Sequence, residues 1–333
     1  MYANMKRMNN EMAVSPIVAT LVLIVVAVIG AVAVGTIMGT FSSSVSKQAN
    51  AGQAASASQT QLTVAGSTTI YPAMVNVASD YMTNNPGIKI SVQQGGSGAG
   101  VSAVNAGVAD IGMFSQPWDT TMQANYPNIK AFQVGVGAVV PIVDAGTAIT
   151  KNISVADLAN IFENGPSVAG SLTDTDLAGI TQVYVRSDVS GTADSFATYI
   201  GDSNIYDTTH GQTGENGNGA MASAVSGHAH SIGFTDLDYA LSNSALHVVP
   251  YVGYTGSYTQ PIYTRADEQN AANGVSDAPA NFPAHATRPL NLLTQGTPTS
   301  IVENFMQYAA SPGEASRFTA INLTPISAIS NVD

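Results

Sequence analysis

Two hydropathy textures divide the chain. Over residues 12–41 no position carries a charge and nearly all are apolar or small, a run of roughly 30 residues that spans about 45 Å as a helix. A bilayer core requires less than that. Lys6 and Arg7 stand before the run, which keeps the N-terminus cytoplasmic and exports the remainder of the chain. An ordinary secretory signal is shorter and is followed by a small-x-small cleavage site; this run is too long, and its polar sequel carries no clean site of that kind. Residues 42–60 are mostly Ser, Ala, Gln and Asn with the single charge of Lys47, the composition of a solvated linker.

From Gln61 onward the pattern changes to short β-rich runs that end in Gly or Ser and open a helix. Residues 62–65 read as a strand and 72–81 as a helix, stopped by Asn84-Asn85-Pro86-Gly87. Residues 88–92 form a second strand, 101–105 a short helix and 109–113 a third strand. Residues 132–143 make a long apolar strand with two glycines, suited to crossing between lobes. Ser154 with Asp157 three positions on is a capping-box-like start, and that helix ends at Asn164-Gly165. Next come a strand at 182–185, a helix at 193–200 and a strand at 231–234. A late amphipathic helix at 301–310 is closed by Ser311-Pro312-Gly313. Strands alternating with helices predict an α/β fold with mainly parallel pairing. No internal repeat of fixed period is visible.

Charge and composition remove several function classes. The 333 residues hold 10 Lys plus Arg against 22 Asp plus Glu, a net charge of −12. A sequence-independent grip on nucleic acid needs a basic surface that this chain cannot offer, and anionic headgroups repel it. With no cysteine there is no disulfide framework, thiolate zinc site, thiol nucleophile or lipidated N-terminal Cys. A mean hydropathy of +0.14 is too apolar for a disordered chain.

Three strand-to-helix junctions share one chemistry. Gly66-Ser67-Thr68-Thr69 precedes the helix at 72, Gly95-Gly96-Ser97-Gly98-Ala99-Gly100 the helix at 101, and Ser190-Gly191-Thr192 the helix at 193. Each offers hydroxyls and small residues at the positive end of a helix, where backbone N–H groups can approach an anion. Arg186, four residues before Ser190 in an Arg-poor chain, adds a two-pronged donor. Taken singly, such residues are also ordinary helix caps. The glycine run lacks the spacing of a dinucleotide fingerprint, and no phosphate-loop Gly-Lys-Ser/Thr motif occurs.

The N-terminus resembles that of archaeal type IV pilins. The leader Lys6-Arg7-Met8-Asn9-Asn10-Glu11-Met12 is followed by Ala13-Val14-Ser15-Pro16 and the apolar run, and Pro16 suits a first helical turn. The resemblance implies a prepilin peptidase that cuts near Met12/Ala13, a retained helix over 13–41, and self-assembly of such helices as an option. The same residues also fit an uncleaved signal anchor, with the same topology.

From Gln61 to the C-terminus the chain resembles the phosphate-binding proteins of phosphate ABC transporters. The motifs that carry this are, in order, Ala65-Gly66-Ser67-Thr68-Thr69-Ile70-Tyr71-Pro72, residues 95–100, Ala109-Asp110-Ile111-Gly112-Met113, and Arg186-Ser187-Asp188-Val189-Ser190-Gly191-Thr192. Residues 219–239, with Ser231-Ile232-Gly233-Phe234 inside them, and Arg288-Pro289-Leu290 continue the series. The resemblance implies a two-lobed periplasmic-binding-protein (Venus-flytrap) fold preceded by a single N-terminal hydrophobic helix. The expected domains are a leader at 1–12, the hydrophobic helix at 13–41, a linker at 42–60, one lobe from 61–140 and 250–333, and a second lobe from 141–249.

It further implies an inorganic phosphate or similar oxyanion held by Thr68, Thr69, Ser97, Gly98, Ser190, Gly191 and Thr192, with Arg186 on the anion and Asp188 orienting the guanidinium. Where many members of that family carry an Asp that accepts the proton of monohydrogen phosphate, this chain has Ser115. A hydroxyl accepts that hydrogen bond without repelling a fully ionised anion, so rejection of sulfate is expected to be weaker. The implied partners are ABC permease subunits, and the membrane through the N-terminal helix.

No cofactor is expected, and no nucleophile–base pair stands at suggestive spacing, so the chain is not read as an enzyme. His228 and His230 share a strand-face spacing with no third ligand nearby, which leaves a metal unsupported. Trp118 and the Tyr residues read as core or cleft rim. A filament subunit that displays the binding lobes, and a sensor without transport, remain as alternative readings.

Overall fold

The computed structural model describes residues 59–330 apart from 203–204, 276–279, 281 and 284–285. The expected leader, hydrophobic helix and all but the last two residues of the linker lie outside the described residues. Among the described residues no helix is long and apolar enough to cross a membrane.

The first half begins with β1 (Thr60–Gly66), whose alternate residues Leu62, Val64 and Gly66 are buried, as the period of a strand with one covered face requires. Helix α1 (Tyr71–Asn84) carries Pro72 in its first turn and buries Ala73, Met74, Val77, Ala78 and Tyr81, a single stripe at helical spacing. Then come β2 (Ile88–Gln94), α2 (Ser97–Asn105), β3 (Ile111–Phe114) and α3 (Thr120–Asn125). Helix α2 starts four residues earlier than expected, so Ser97 and Gly98 sit inside its first turn. Gly100 lets that helix lie directly on β1 and β3, because a Cβ there would meet the Met113 carbonyl oxygen.

β4 (Ile129–Asp144) is the crossing strand, and its 16 residues reach about 50 Å at 3.3 Å each. The second half then runs through α4 (Val155–Asn164), β5 (Gln182–Arg186), α5 (Gly191–Ile200), β6 (Thr213–Glu215), α6 (Gly217–Gly227), β7 (Ser231–Asp236), α7 (Leu237–Leu241), β8 (Leu246–Val248) and α8 (Arg265–Ala272). The chain crosses back on β9 (Thr287–Gln295) and finishes with α9 (Ser300–Ala309), α10 (Ala315–Thr319) and β10 (Thr324–Pro325).

The strand order is β2-β1-β3-β9-β4-β7-β5-β6, with β8 and β10 paired to β4. Pairing is parallel between β1 and β2, β1 and β3, β5 and β6, and β5 and β7. It is antiparallel wherever β4 or β9 takes part. The sheet is therefore mixed, which corrects the expectation of mainly parallel pairing. The reason is topological: the chain leaves on β4 and returns on β9, so the two crossings oppose each other and the strands beside them. β4 pairs with β9 through Ala138 and with β7 from Val139 onward.

The cores divide at the same place. Leu62, Val64, Ile111, Met113, Val134, Leu290, Leu292, Phe305 and Phe318 form one, while Ala138 begins another with Phe162, Phe196, Phe234 and Leu237. Full burial of each large apolar side chain contributes about 1.5–3 kcal/mol. Tyr251, Tyr254, Ile262, Tyr263, Ala271, Phe282 and Ala286 belong to the second core. Residues 251–286 thus supply side chains to the second core, and Leu290 and Leu292 of β9 to the first.

Candidate functional site

The three junctions and Ser115 meet where the lobes face each other. In the first lobe, Thr68 and Thr69 lie in the turn between β1 and α1, Ser97 and Gly98 open α2, and Ser115 comes directly after β3. In the second, Arg186 ends β5, and Asp188 and Ser190 lead into Gly191 and Thr192 at the start of α5. Ser97, Ser115, Arg186, Ser190 and Thr192 are all buried, as are Thr68 and Thr69.

Contacts between and within the two sets close the seat. The Gly98 N–H donates to the Val189 carbonyl at 3.2 Å. Ser97 and Ser115 pair hydroxyl to hydroxyl at 3.1 Å, and the Ser115 N–H donates to Ser97 Oγ at 3.2 Å. Gly191 rests against the Ser115 carbonyl so closely that a Cβ would have no room.

Arg186 is held from two sides. Its Nε and Nη2 donate to the two oxygens of Asp188 at 2.7 and 2.6 Å, and its Nη1 donates to Asn218 Oδ1 at 3.0 Å. A guanidinium has five N–H groups; those three bonds leave two uncommitted. Asp188 also accepts from the Gly217 N–H, so its carboxylate is spent on protein donors. Ser190 caps α5 by accepting from the Ala193 N–H, which leaves its own O–H available. The first N–H groups of α5, those of Gly191 and Thr192, have no intrahelical partner by geometry. Tyr206 Oη accepts from the Ser190 N–H and shares its hydrogen between the Ser190 carbonyl and Asp194, holding this loop in place.

Thr69 and Thr192 behave differently. Thr69 Oγ1 donates to Asp236 Oδ2 at 2.6 Å and Thr192 Oγ1 donates to the same oxygen at 3.0 Å. A hydroxyl has one hydrogen, so neither side chain retains a donor for an anion. Asn218 Nδ2 donates to Asp236 Oδ2 at 2.5 Å, and Arg288 Nη2 donates to Asp236 Oδ1, Thr69 Oγ1 and Thr192 Oγ1 at 2.5, 3.2 and 3.0 Å. This knot of Asp236, Asn218 and Arg288 ties both lobes to the crossing strand β9. Tyr239 adds a further tie, its hydroxyl donating to the Thr68 carbonyl at 3.0 Å.

Sequence reasoning missed these residues as part of the site. Asn218 had a signal, because Gly217-Asn218-Gly219 is a fourth small-residue helix opening. Arg288 and Asp236 are 52 positions apart; both lie in the motifs quoted above, but nothing local showed that they pair.

Two more buried acids stand behind the knot. Burial pushes the Glu268 carboxyl up to about 8, and the Asp236 charge adds to the shift against the hydrogen bonds from Thr324. Burial also raises Asp238 well above the carboxylate range, helped by the charges of Asp236 and Glu268. Asp194, in the first turn of α5, is raised by burial against the opposing pull of its Tyr206 bond and the two arginines. Away from the site, His228 packs its ring against Tyr184 at 5.7 Å, and among the described residues no group of three or more His, Cys, Asp or Glu is placed to hold a metal ion.

Residues 51–312 match the PBP superfamily domain. The chain is 28% identical over 246 residues to the phosphate-binding protein PstS of Xylella fastidiosa, covering 66% of each chain, and 30% identical over 219 residues to that of Pasteurella multocida, covering 60% of this chain and 63% of that one. It thus spans just under two thirds of the length of these relatives. Among solved structures it resembles a phosphate ABC transporter substrate-binding protein from Clostridium perfringens, with TM-score 0.63, 22% identity, and coverage of 80% of this chain and 99% of that one. A phosphate transport receptor from Vibrio cholerae gives TM-score 0.56 at 21% identity, covering 79% of this chain and 99% of that one.

Proposed function

The chain belongs to the PBP superfamily, and from that premise we propose that it is an extracytoplasmic binding protein that captures phosphate between its lobes and delivers it to an ABC permease. The observation that carries this reading is Arg186, buried at the end of β5 and fixed by Asp188, on the loop whose Val189 carbonyl and Gly191 touch Gly98 and Ser115 of the other lobe. The names of the curated relatives support the choice of anion.

The donor count suffices. Two Arg186 N–H groups, the Thr68 and Ser190 hydroxyls, one hydroxyl of the Ser97–Ser115 pair and the first α5 amides belong to loops that meet between the lobes. Micromolar capture requires about −8 kcal/mol, and charge-assisted hydrogen bonds contribute roughly 1.5–3 kcal/mol each. About four or five of them are enough after the costs of ordering and closure. Calorimetric titration of the full chain in detergent with inorganic phosphate is the test: micromolar binding that Arg186→Ala abolishes is expected. Absence of binding at neutral pH overturns the reading, and retained affinity in the variant moves the site elsewhere.

The anchor in this reading is the apolar run at 13–41, kept on the mature protein after a prepilin peptidase removes residues 1–12. The pilin-like order of leader and helix favours a second use of the same segment, assembly of the helices into a filament that displays the lobes. The N-terminal mass of the membrane-extracted protein tests the cut, and Met1 at that terminus leaves a plain anchor. Electron microscopy of native membranes tests the filament, which particles of single chains alone exclude. Loss of phosphate uptake on deletion of the protein separates delivery from sensing.

A further inference from the structure

Gln116, next to Ser115, and Asp194, two residues after Thr192, line a recess of about 370 Å³. That is the room of about a dozen waters and lies within the roughly 300–1,000 Å³ of small-molecule pockets. Its walls are the same two loops that build the seat, continued by a few residues. Gln116, Asp119 and Thr121 come after Ser115 in the first lobe, and Asp194 and Thr198 after Thr192 in the second. Arg288 joins seat and recess: its Nη2 bonds Thr69 and Thr192, and it forms part of the recess wall. Its Nε and Nη1 are buried without a protein partner.

The hydrogen bonds already made at the seat fix where a donor on the ligand would be met. Asp188 is occupied by Arg186 and the Gly217 amide, and Asp236 by Arg288, Thr69, Thr192 and Asn218. Every carboxylate oxygen of the seat thus already accepts from a protein donor. The recess is the opposite. Asp194 uses Oδ1 for the Tyr206 hydroxyl, and Asp119 uses Oδ1 for the Met122 amide; among the described residues no donor engages the second oxygen of either. The seat thus suits phosphoryl oxygens without a proton, while the recess offers two carboxylate oxygens to hydroxyl or ammonium donors beside an arginine already paired with Asp236. A second phosphoryl group in the recess would meet the Asp119 and Asp194 carboxylates, against the single charge of Arg288 that Asp236 already neutralises, and be repelled.

We propose that the ligand is a phosphate monoester or phosphonate whose short substituent carries hydroxyl or ammonium donors, with its phosphoryl group in the Arg186 seat and its substituent against Asp194 and Asp119. This rests on the oxyanion-binding reading above and narrows its ligand. Calorimetric competition on the full chain tests it, with inorganic phosphate, glycerol 3-phosphate, 2-aminoethylphosphonate and pyrophosphate as probes.

The expected result is that at least one of the two substituted ligands binds tenfold or more tightly than phosphate, and pyrophosphate more weakly. Thr198→Trp, at an exposed position on the recess rim, should lower the affinity for that ligand at least tenfold relative to phosphate. Asp194→Asn should lower the affinity for the aminoalkyl ligand relative to the glycerol ester. Phosphate binding with both substituted ligands silent overturns this inference and leaves the oxyanion reading standing. Silence of all four probes overturns both.

Discussion

Two buried Arg–Asp pairs lie next to each other in the cleft and do different work. Arg186 and Asp188 are two positions apart and bond fork to fork, and with Asn218 on Nη1 the arginine keeps two N–H groups uncommitted. Arg288 and Asp236 come from β9 and the end of β7, and there it is the carboxylate that gathers donors, from Thr69, Thr192, Asn218 and Arg288. The first pair presents an arginine. The second consumes hydroxyl hydrogens from both lobes and so holds the closed arrangement together. Side-chain identity does not separate the two roles; the direction in which the spare bonding capacity points does.

The largest effect expected from breaking this comparison is on the second pair. Asp236→Ala strands the Arg288 charge in a fully buried site, and removing one partner of such a pair costs about 3–5 kcal/mol. Chemical denaturation should show a loss of that size. Arg186→Lys, by contrast, keeps a charge beside Asp188 but loses the planar fork. It should reduce phosphate affinity at least tenfold, about 1.4 kcal/mol or more, with a smaller loss of stability than Asp236→Ala. Equal stability losses with unchanged affinity in both variants would erase the distinction between the pairs.

A smaller effect comes from the acids behind the knot. The Glu268 carboxyl, ordinarily near 4.5, is raised to about 8, chiefly by burial. As pH rises past 4.5 the unfolded chain releases this proton while the folded chain retains it. The folded state then binds more protons, so stability falls with rising pH by up to about 1.4 kcal/mol per unit until the folded group ionises near 8. Glu268→Gln should flatten the stability profile between pH 5 and 8. An unchanged slope in the variant assigns the dependence to another group.

Legibility in the sequence obeys the same local-versus-distant divide. β1, α1, β2 and α4 were legible because their period, caps and stops lie within a dozen residues; Ser154 accepting from the Asp157 N–H is an example. β9 was not read as a strand. It opens on Thr287-Arg288-Pro289 and is then buried almost continuously, which hides the alternation that marks a half-covered strand. α6, Gly217–Gly227, is built of small residues with little contrast between faces, and α8 buries only Glu268 and Ala271. The mixed pairing was hidden too, since strand direction depends on which crossing lies next to which. In the site, Arg186, Asp188, Ser190 and Ser97 sit in short motifs. The diversion of the Thr69 and Thr192 hydrogens to Asp236 is set by a residue 167 positions from the first of them, and no local pattern encodes it.

The smallest expected effect is at Ser115, and it bears on why the seat needs the second pair at all. Ser115 shares one hydrogen with Ser97 and leaves one hydroxyl hydrogen and a lone pair for the ligand. That combination accepts a protonated oxygen or donates to an ionised one, so the wild-type seat should bind sulfate within about tenfold of phosphate, a gap of about 1.4 kcal/mol or less. Ser115→Asp places a carboxylate against the anion: a P–OH can donate to it, whereas sulfate at neutral pH has no proton to give and is repelled. The ratio of phosphate to sulfate affinity should rise tenfold or more, even if both affinities fall because a charge has been added to a buried position. Should the ratio stay fixed, Ser115 does not face the ligand. Selectivity would then have to come from the other carboxylates, and Asp188 and Asp236 could supply it only by giving up the arginines they hold.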